Sequence, residues 1–168
     1  MSDLIKQRGA HSLAEILSQP ERWNACLTML RETRTLETAF EWFSGQTEWL
    51  FIGCGSSYYI ALSAAASMTV LGGRRARAVP ASDVLLYPEL TLSPNCVPVL
   101  ISRSGRTSEV LQAAELLKSR VVPTLAISCA SGQPLEELAN LTMVLPAADE
   151  QSTVMTRSFS SMLLTLQS

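Results

Sequence analysis

The chain lacks any grouping of cysteine or histidine that a metal or a disulfide framework would need. Cys26, Cys54, Cys96 and Cys129 are scattered without CxxC or Cys/His spacing, and His11 is the single histidine. Zinc and a disulfide scaffold are thereby disfavoured. No metal or cofactor is called for, and buried reduced thiols of a cytoplasmic protein are the expectation. Long apolar runs are missing as well. The longest, Ile60–Gly73, is diluted by serine, threonine and small residues and falls short of the roughly 20 residues of a membrane span. The Met1-Ser2-Asp3-Leu4 start has no basic stretch leading into an apolar one, so no secretory signal is read there. Nor is there an excess of one charge. A formal net charge of −2 argues against a broad electrostatic footprint for nucleic acid or an anionic membrane. Internal repeats, low-complexity tracts and linkers are absent too.

What is present is enough for one ordinary domain. The 168 residues are 47% hydrophobic and 17% charged, a globular composition. A chain of this length buries roughly 70% of its unfolded surface. From Leu13 to Phe43 the pattern is helical. Leu13, Ile16 and Leu17 share a face, Pro20 can open a second helix, and Thr33–Phe43 reads as a third. Residues 1–45 are therefore expected to form a helical arm.

The rhythm then changes. Short, wholly apolar runs at Trp49–Ile52, Val97–Ser102, Pro123–Ser128 and Leu141–Leu145, with a weaker one at Arg77–Val79, read as strands. Helices are expected at Tyr58–Leu71, Ser82–Leu86, Ser108–Lys118 and Pro134–Ala139, and a helical spacing runs on from Ser152 through Leu166. The final residues stop in that pattern without a cap, suggesting a chain cut there or continuing into a partner. Apolar strands alternating with helices imply a parallel sheet covered on both faces. The expected fold is α/β, a three-layer α/β/α sandwich with a five-stranded parallel sheet of flavodoxin-like type. In such sheets ligands gather outside the carboxyl ends of the strands.

Two polar loops would lie on that edge. Ser102-Arg103-Ser104-Gly105-Arg106-Thr107 joins a strand to a helix, so its amides belong to the unpaired donors of a helix N-terminus, a ready anion site. Ser102, Ser104 and Thr107 add hydroxyls, Gly105 allows close backbone approach, and Arg103 and Arg106 could add charge or point into solvent. The bland alternative is a capped helix, with Ser104 or Thr107 as the cap. Gly53-Cys54-Gly55-Ser56-Ser57 repeats the strand–glycine–hydroxyl–helix layout after the first strand. Neither loop is a GxGxxG fingerprint or a P-loop, which would end in Gly-Lys-Ser/Thr.

Together with Glu150…Thr156-Arg157-Ser158-Phe159 and Glu15-Ile16…Gln19-Pro20, these loops resemble the sugar isomerase (SIS) domain family. The likeness is to the first SIS domain of isomerising glucosamine–fructose-6-phosphate aminotransferases and of tagatose-6-phosphate ketose/aldose isomerases. The resemblance implies that residues 46–168 form a phosphosugar-binding domain, the first of two in a longer protein. It implies a hexose phosphate or aminohexose phosphate as ligand and a second SIS domain or a homodimer as partner. By matching positions, Ser102, Ser104 and Thr107 would hold the phosphate with the backbone of Arg103 beside Gly105. Ser56 and Ser57 would face sugar hydroxyls, and Thr153 would make a weaker contact. Arg106 departs from the aminotransferase pattern, which carries an acid there. In two-domain relatives the catalytic glutamate and its helper come from the second domain or a neighbouring subunit.

Isomerisation between adjacent carbons requires a base, usually a carboxylate. Glu150 is the candidate within this chain, against its reading as a salt-bridge or helix-start charge. Glu109, at the start of a helix, has the same bland reading. His11 reads as an ordinary helix-start residue, Tyr58 and Tyr59 as packing, and Cys54 as packed behind its loop. The competing classes are a sugar-phosphate isomerase domain, a non-catalytic phosphosugar-sensing module, and a purely structural domain. Lys6, Arg22, Arg31 and Arg34 form no compact basic recognition helix, which counts against direct DNA binding.

Overall fold

A computed structural model describes residues 9–168. The beginning of the expected helical arm, residues 1–8 with Lys6 among them, lies outside the described residues. Helices α1 (Ala10–Leu17), α2 (Gln19–Glu32) and α3 (Thr35–Phe43) come first. Pro20 sits in the first turn of α2, where its missing N–H costs no helical bond. Arg34 adopts a left-handed φ of 53°. This breaks the helix expected from Thr33, and α3 begins at Thr35.

The sheet has five parallel strands, β1 (Glu48–Gly53), β2 (Ala76–Pro80), β3 (Cys96–Ile101), β4 (Leu125–Ser128) and β5 (Leu141–Val144), in the order β2-β1-β3-β4-β5. The fold class expected from the sequence is thus the one observed. β4 begins two residues after the expected Pro123 and pairs with β3 only from Val99, one residue past Pro98. Helix α4 (Ser56–Val70) links β1 to β2, while α5 (Ala81–Leu86) and α6 (Pro88–Thr91) lead to β3. Helix α7 (Ser108–Ser119) leads to β4 and α8 (Pro134–Leu138) to β5. A 3-10 turn at Pro146–Ala148 and helix α9 (Arg157–Gln167) complete the chain. The helix read from Ser152 therefore starts five residues later, because residues 151–154 are a bend.

Alternation along the strands divides the core in two. Phe51, Val97, Val99, Ile101, Leu125 and Ile127 face α4, α9 and the α2–α3 pair, which contributes Cys26, Leu30, Ala39 and Phe43. Leu50, Ile52, Leu100 and Ala126 face the other way, against Ala81, Val84, Val110, Ala114, Leu117 and Leu135. Burying each valine, leucine, isoleucine or phenylalanine among them stabilises the fold by about 1.5–3 kcal/mol, so the sheet is gripped from both sides. No described helix is long and apolar enough to cross a membrane.

Candidate functional site

The order of the strands decides where the site lies. The chain moves outward from β1 to β2, then returns to lay β3 on the opposite side of β1. Strand order reverses between β1 and β3, and a crevice opens there at the carboxyl edge. Gly53 at the end of β1 pairs with Ile101 at the end of β3. The loops beginning at Gly53 and at Ser102 consequently leave the sheet side by side.

The Ser102–Thr107 loop is braced from beneath. The Cys129 amide donates to the Arg103 carbonyl at 2.8 Å, the Gly105 amide to the Ser102 carbonyl at 3.1 Å, and the Leu135 amide to the Gly105 carbonyl at 3.3 Å. Gly105 has a φ of +63°, and a Cβ there would lie 2.6 Å from Gln133 Cβ. No other residue fits both the backbone and the space. Above the brace, the amides of Ser104, Thr107, Ser108 and Glu109 meet no acceptor among the described residues. Thr107 occupies the N-cap position of α7 but makes no side-chain cap bond. Its Oγ1 lies 2.9 Å from the buried Ser102 Oγ instead. Ser104 Oγ accepts from the Arg106 amide at 3.2 Å.

Both arginines have partners. Arg103 turns back beneath the loop and donates through Nη1 to the Ser152 carbonyl at 2.8 Å. Arg106 donates to the side-chain carbonyl of Gln133. The neighbouring loop is tight because a Cβ on Gly53 would lie 2.6 Å from the Ser57 backbone. Ser57 is buried and Ser56 exposed, both in the first turn of α4. Cys54 is half-buried between the loops. Burial pushes its thiol up to about 11, and the Glu109 carboxylate beside it adds to the rise.

A third loop, after β5, closes the edge. The Glu150 carboxylate is buried and accepts from the Thr156 amide at 3.0 Å, from Thr156 Oγ1 at 2.7 Å and from Ser158 Oγ. Arg103 Nη1 stands 3.8 Å away. Glu150 thus acts as the charge at the start of α9. Thr153 is exposed on the bend that follows. His11 is exposed on α1.

Sequence reasoning missed Gln133 and gave Glu15, though part of the resembling segment, no role at the site. Gln133 walls the glycine of the loop and takes Arg106. Glu15 is buried and receives the Gln151 and Ser152 amides at 2.7 and 3.2 Å. Burial alone would raise its carboxyl, but the Ser152 hydroxyl, these two amides and Arg157 together hold it below its ordinary value. Among the described residues no three His, Cys, Asp or Glu side chains gather as a metal would require. Two cavities of about 290 and 230 Å³ lie elsewhere. One is apolar, between α3, α4 and α9, and the other sits at the amino edge around Ser93–Cys96.

This arrangement can hold an oxyanion on amides and hydroxyls, with further hydroxyls beside it. The SIS domain family model matches residues 43–168. The chain is 30% identical over 126 residues to a glutamine–fructose-6-phosphate aminotransferase (isomerizing) of Helicobacter pylori, covering 75% of this chain and 21% of that protein. A solved structure of tagatose-6-phosphate ketose/aldose isomerase from Escherichia coli superposes with a TM-score of 0.82 at 26% identity, over 92% of this chain and 45% of that one. A glucosamine-6-phosphate deaminase from Thermotoga maritima gives 0.75 at 32% identity, over 94% of this chain and 47% of that one. The chain spans less than half the length of each of these relatives.

Proposed function

Because the chain belongs to the SIS domain family, we propose that it is the phosphosugar-binding domain of a sugar-phosphate isomerase, acting on a ketose/aldose or aminosugar phosphate. The observation that carries this reading is the pairing of Thr107 Oγ1 with Ser102 Oγ instead of with its own helix. A threonine that served only as a cap would spend its oxygen on the first turn of α7. Here that turn keeps its donors open beside three hydroxyls, an arrangement suited to a dianionic phosphate.

In this reading Ser102, Ser104 and Thr107 hold the phosphate with the amides around Gly105, and the backbone of Arg103 contributes beside them. Ser56 and Ser57 face the sugar hydroxyls across the crevice, and Thr153 approaches from the third loop. The carboxylate of Glu150 is enclosed by its own donors, so we assign it to holding the third loop. The base that moves the proton comes from a second SIS domain or a neighbouring copy of the chain. Four free cysteines suit a reducing compartment, and we read the domain as cytoplasmic.

The test is a thermal-shift and calorimetric series with fructose 6-phosphate, glucosamine 6-phosphate and tagatose 6-phosphate against the unphosphorylated sugars. The phosphorylated forms are expected to raise the melting temperature and the free sugars to leave it unchanged. A flat response to all three sugar phosphates overturns the proposal.

A further inference from the structure

Helix α1 is inside out. Its apolar residues Leu13, Ile16 and Leu17 are 58%, 47% and 73% exposed, and the residue it buries is a glutamate. Hydrophobic packing therefore does little to hold α1 in place. Polar contacts to the loop after β5 do so instead. Glu15 Oε1 accepts from the amides of Gln151 and Ser152, and Ser12 Oγ lies 2.9 Å from Ser152 Oγ. Charge-assisted bonds of this kind are roughly twice as strong as neutral ones. Glu15 Oε2 is buried without a hydrogen-bond partner among the described residues, a costly arrangement that a purely structural helix could shed by substitution.

The contacts continue toward the site. Ser152, pinned through its amide by Glu15, offers its carbonyl to Arg103 Nη1 at 2.8 Å. Arg103 lies between Ser102 and Ser104 in the oxyanion loop. The residue after Ser152 is Thr153. One carboxylate on α1 thus fixes the turn that carries Thr153 and the anchor of Arg103.

We propose that Glu15 is a positioning residue of the sugar-phosphate site, setting the 151–153 turn and, through Ser152 and Arg103, the Ser102–Thr107 loop. Its purpose rests on the phosphosugar reading, but its action on the loop can be measured without any sugar.

Hydrogen exchange of the ligand-free chain tests it. Glu15→Ala is expected to speed exchange at Gln151 and Ser152 by about tenfold or more, the scale of a lost bond to a charged acceptor. A smaller rise is expected at Gly105 and Cys129, whose amides bond the Ser102 and Arg103 carbonyls, with β4 unchanged. Glu15→Gln keeps an acceptor oxygen and is expected to restore most of the protection. Arg103→Ala, one link further on, should speed exchange at Gly105 and Cys129 while Gln151 stays protected, and it serves should Glu15→Ala fold poorly. Unchanged exchange at Gly105 and Cys129 in both alanine variants overturns the proposal, whatever the protein binds. In the same samples, fructose 6-phosphate should bind Glu15→Ala several-fold more weakly than the parent. That loss should shrink in an Arg103→Ala background, the next link in the same chain of contacts. Additive losses would sink this route, whereas a parent that binds no sugar phosphate would sink only the function proposed above.

Discussion

Ser102 Oγ and Thr107 Oγ1 stand 2.9 Å apart at the two ends of one loop. Only one of the two can donate within the pair, so the other keeps a hydrogen for a ligand. Thr107→Val preserves the shape and the extended backbone of the position but removes the oxygen. It is expected to weaken hexose phosphate binding about tenfold or more, the scale of one hydrogen bond to a charged group. The melting temperature should fall only modestly, because no cap bond is lost and the cost is the buried Ser102 hydroxyl left without its partner. Titration calorimetry beside a thermal melt separates the two effects, and an unchanged affinity would remove Thr107 from the site.

Glu150 is held by Thr156, Ser158 and Arg103. Glu150→Ala leaves those donors and the arginine facing a void. A loss of about 1–3 kcal/mol is expected, the cost of leaving buried donors without their charged acceptor. Urea denaturation measures it. A variant as stable as the parent would return Glu150 to the list of candidate bases.

The amino edge of the sheet carries a charge cluster of its own. Glu48 is buried among Ser93, Arg77 and Arg75. Burial would raise its carboxyl, but the Ser93 hydroxyl and the two guanidiniums outweigh that and hold it below its ordinary 4.5. A depressed carboxyl contributes stability that is complete above the unfolded value and lost as pH falls through the folded one. The parent should therefore lose stability on acidification below about pH 4.5 more steeply than Glu48→Gln. Parallel acid limbs in the two proteins would contradict this.

Val121 follows α7 with a φ of 56° and is 87% exposed. The Val122 amide donates back to the Leu117 carbonyl at 3.0 Å, the closing bond of a helix end that favours glycine. A β-branched residue is strained there. Val121→Gly is expected to stabilise the chain by about 0.5–1 kcal/mol, the left-handed penalty less the entropy glycine adds to the unfolded chain. Chemical denaturation reads the sign directly.

Cys54 lies at the crevice with its thiol raised to about 11. The thiolate is the reactive form, so alkylation by iodoacetamide should be negligible near neutrality and rise only as pH approaches 11. Rapid labelling of Cys54 at neutral pH, located by peptide mapping, would contradict the environment described here.

The alternation of apolar runs with helical spacing was sufficient for the order and type of the main elements. The two glycine-bearing loops could be placed at one edge from that order alone. Where local and tertiary forces diverge, the sequence was ambiguous. Periodicity carried the last helix back to Ser152, but Glu150 captures the Thr156 amide and delays its start to Arg157. The short α6 and the 3-10 turn at Pro146–Ala148 were missed because three or four residues hold too little of a period to read.

Local patterning, a property of neighbours along the chain, determined that this protein would bury a parallel sheet and present hydroxyls and amides at the ends of its strands. Only the folded chain decided how those groups are used. Whether Arg103 reaches outward or back to Ser152 and why α1 buries Glu15 depend on partners tens of residues away. Even the short-range choice of Thr107 between its helix and Ser102 is made in a loop braced by Cys129 and Leu135. A hydrogen bond takes the geometry that burial and brace permit, and those are set by the packing of distant segments.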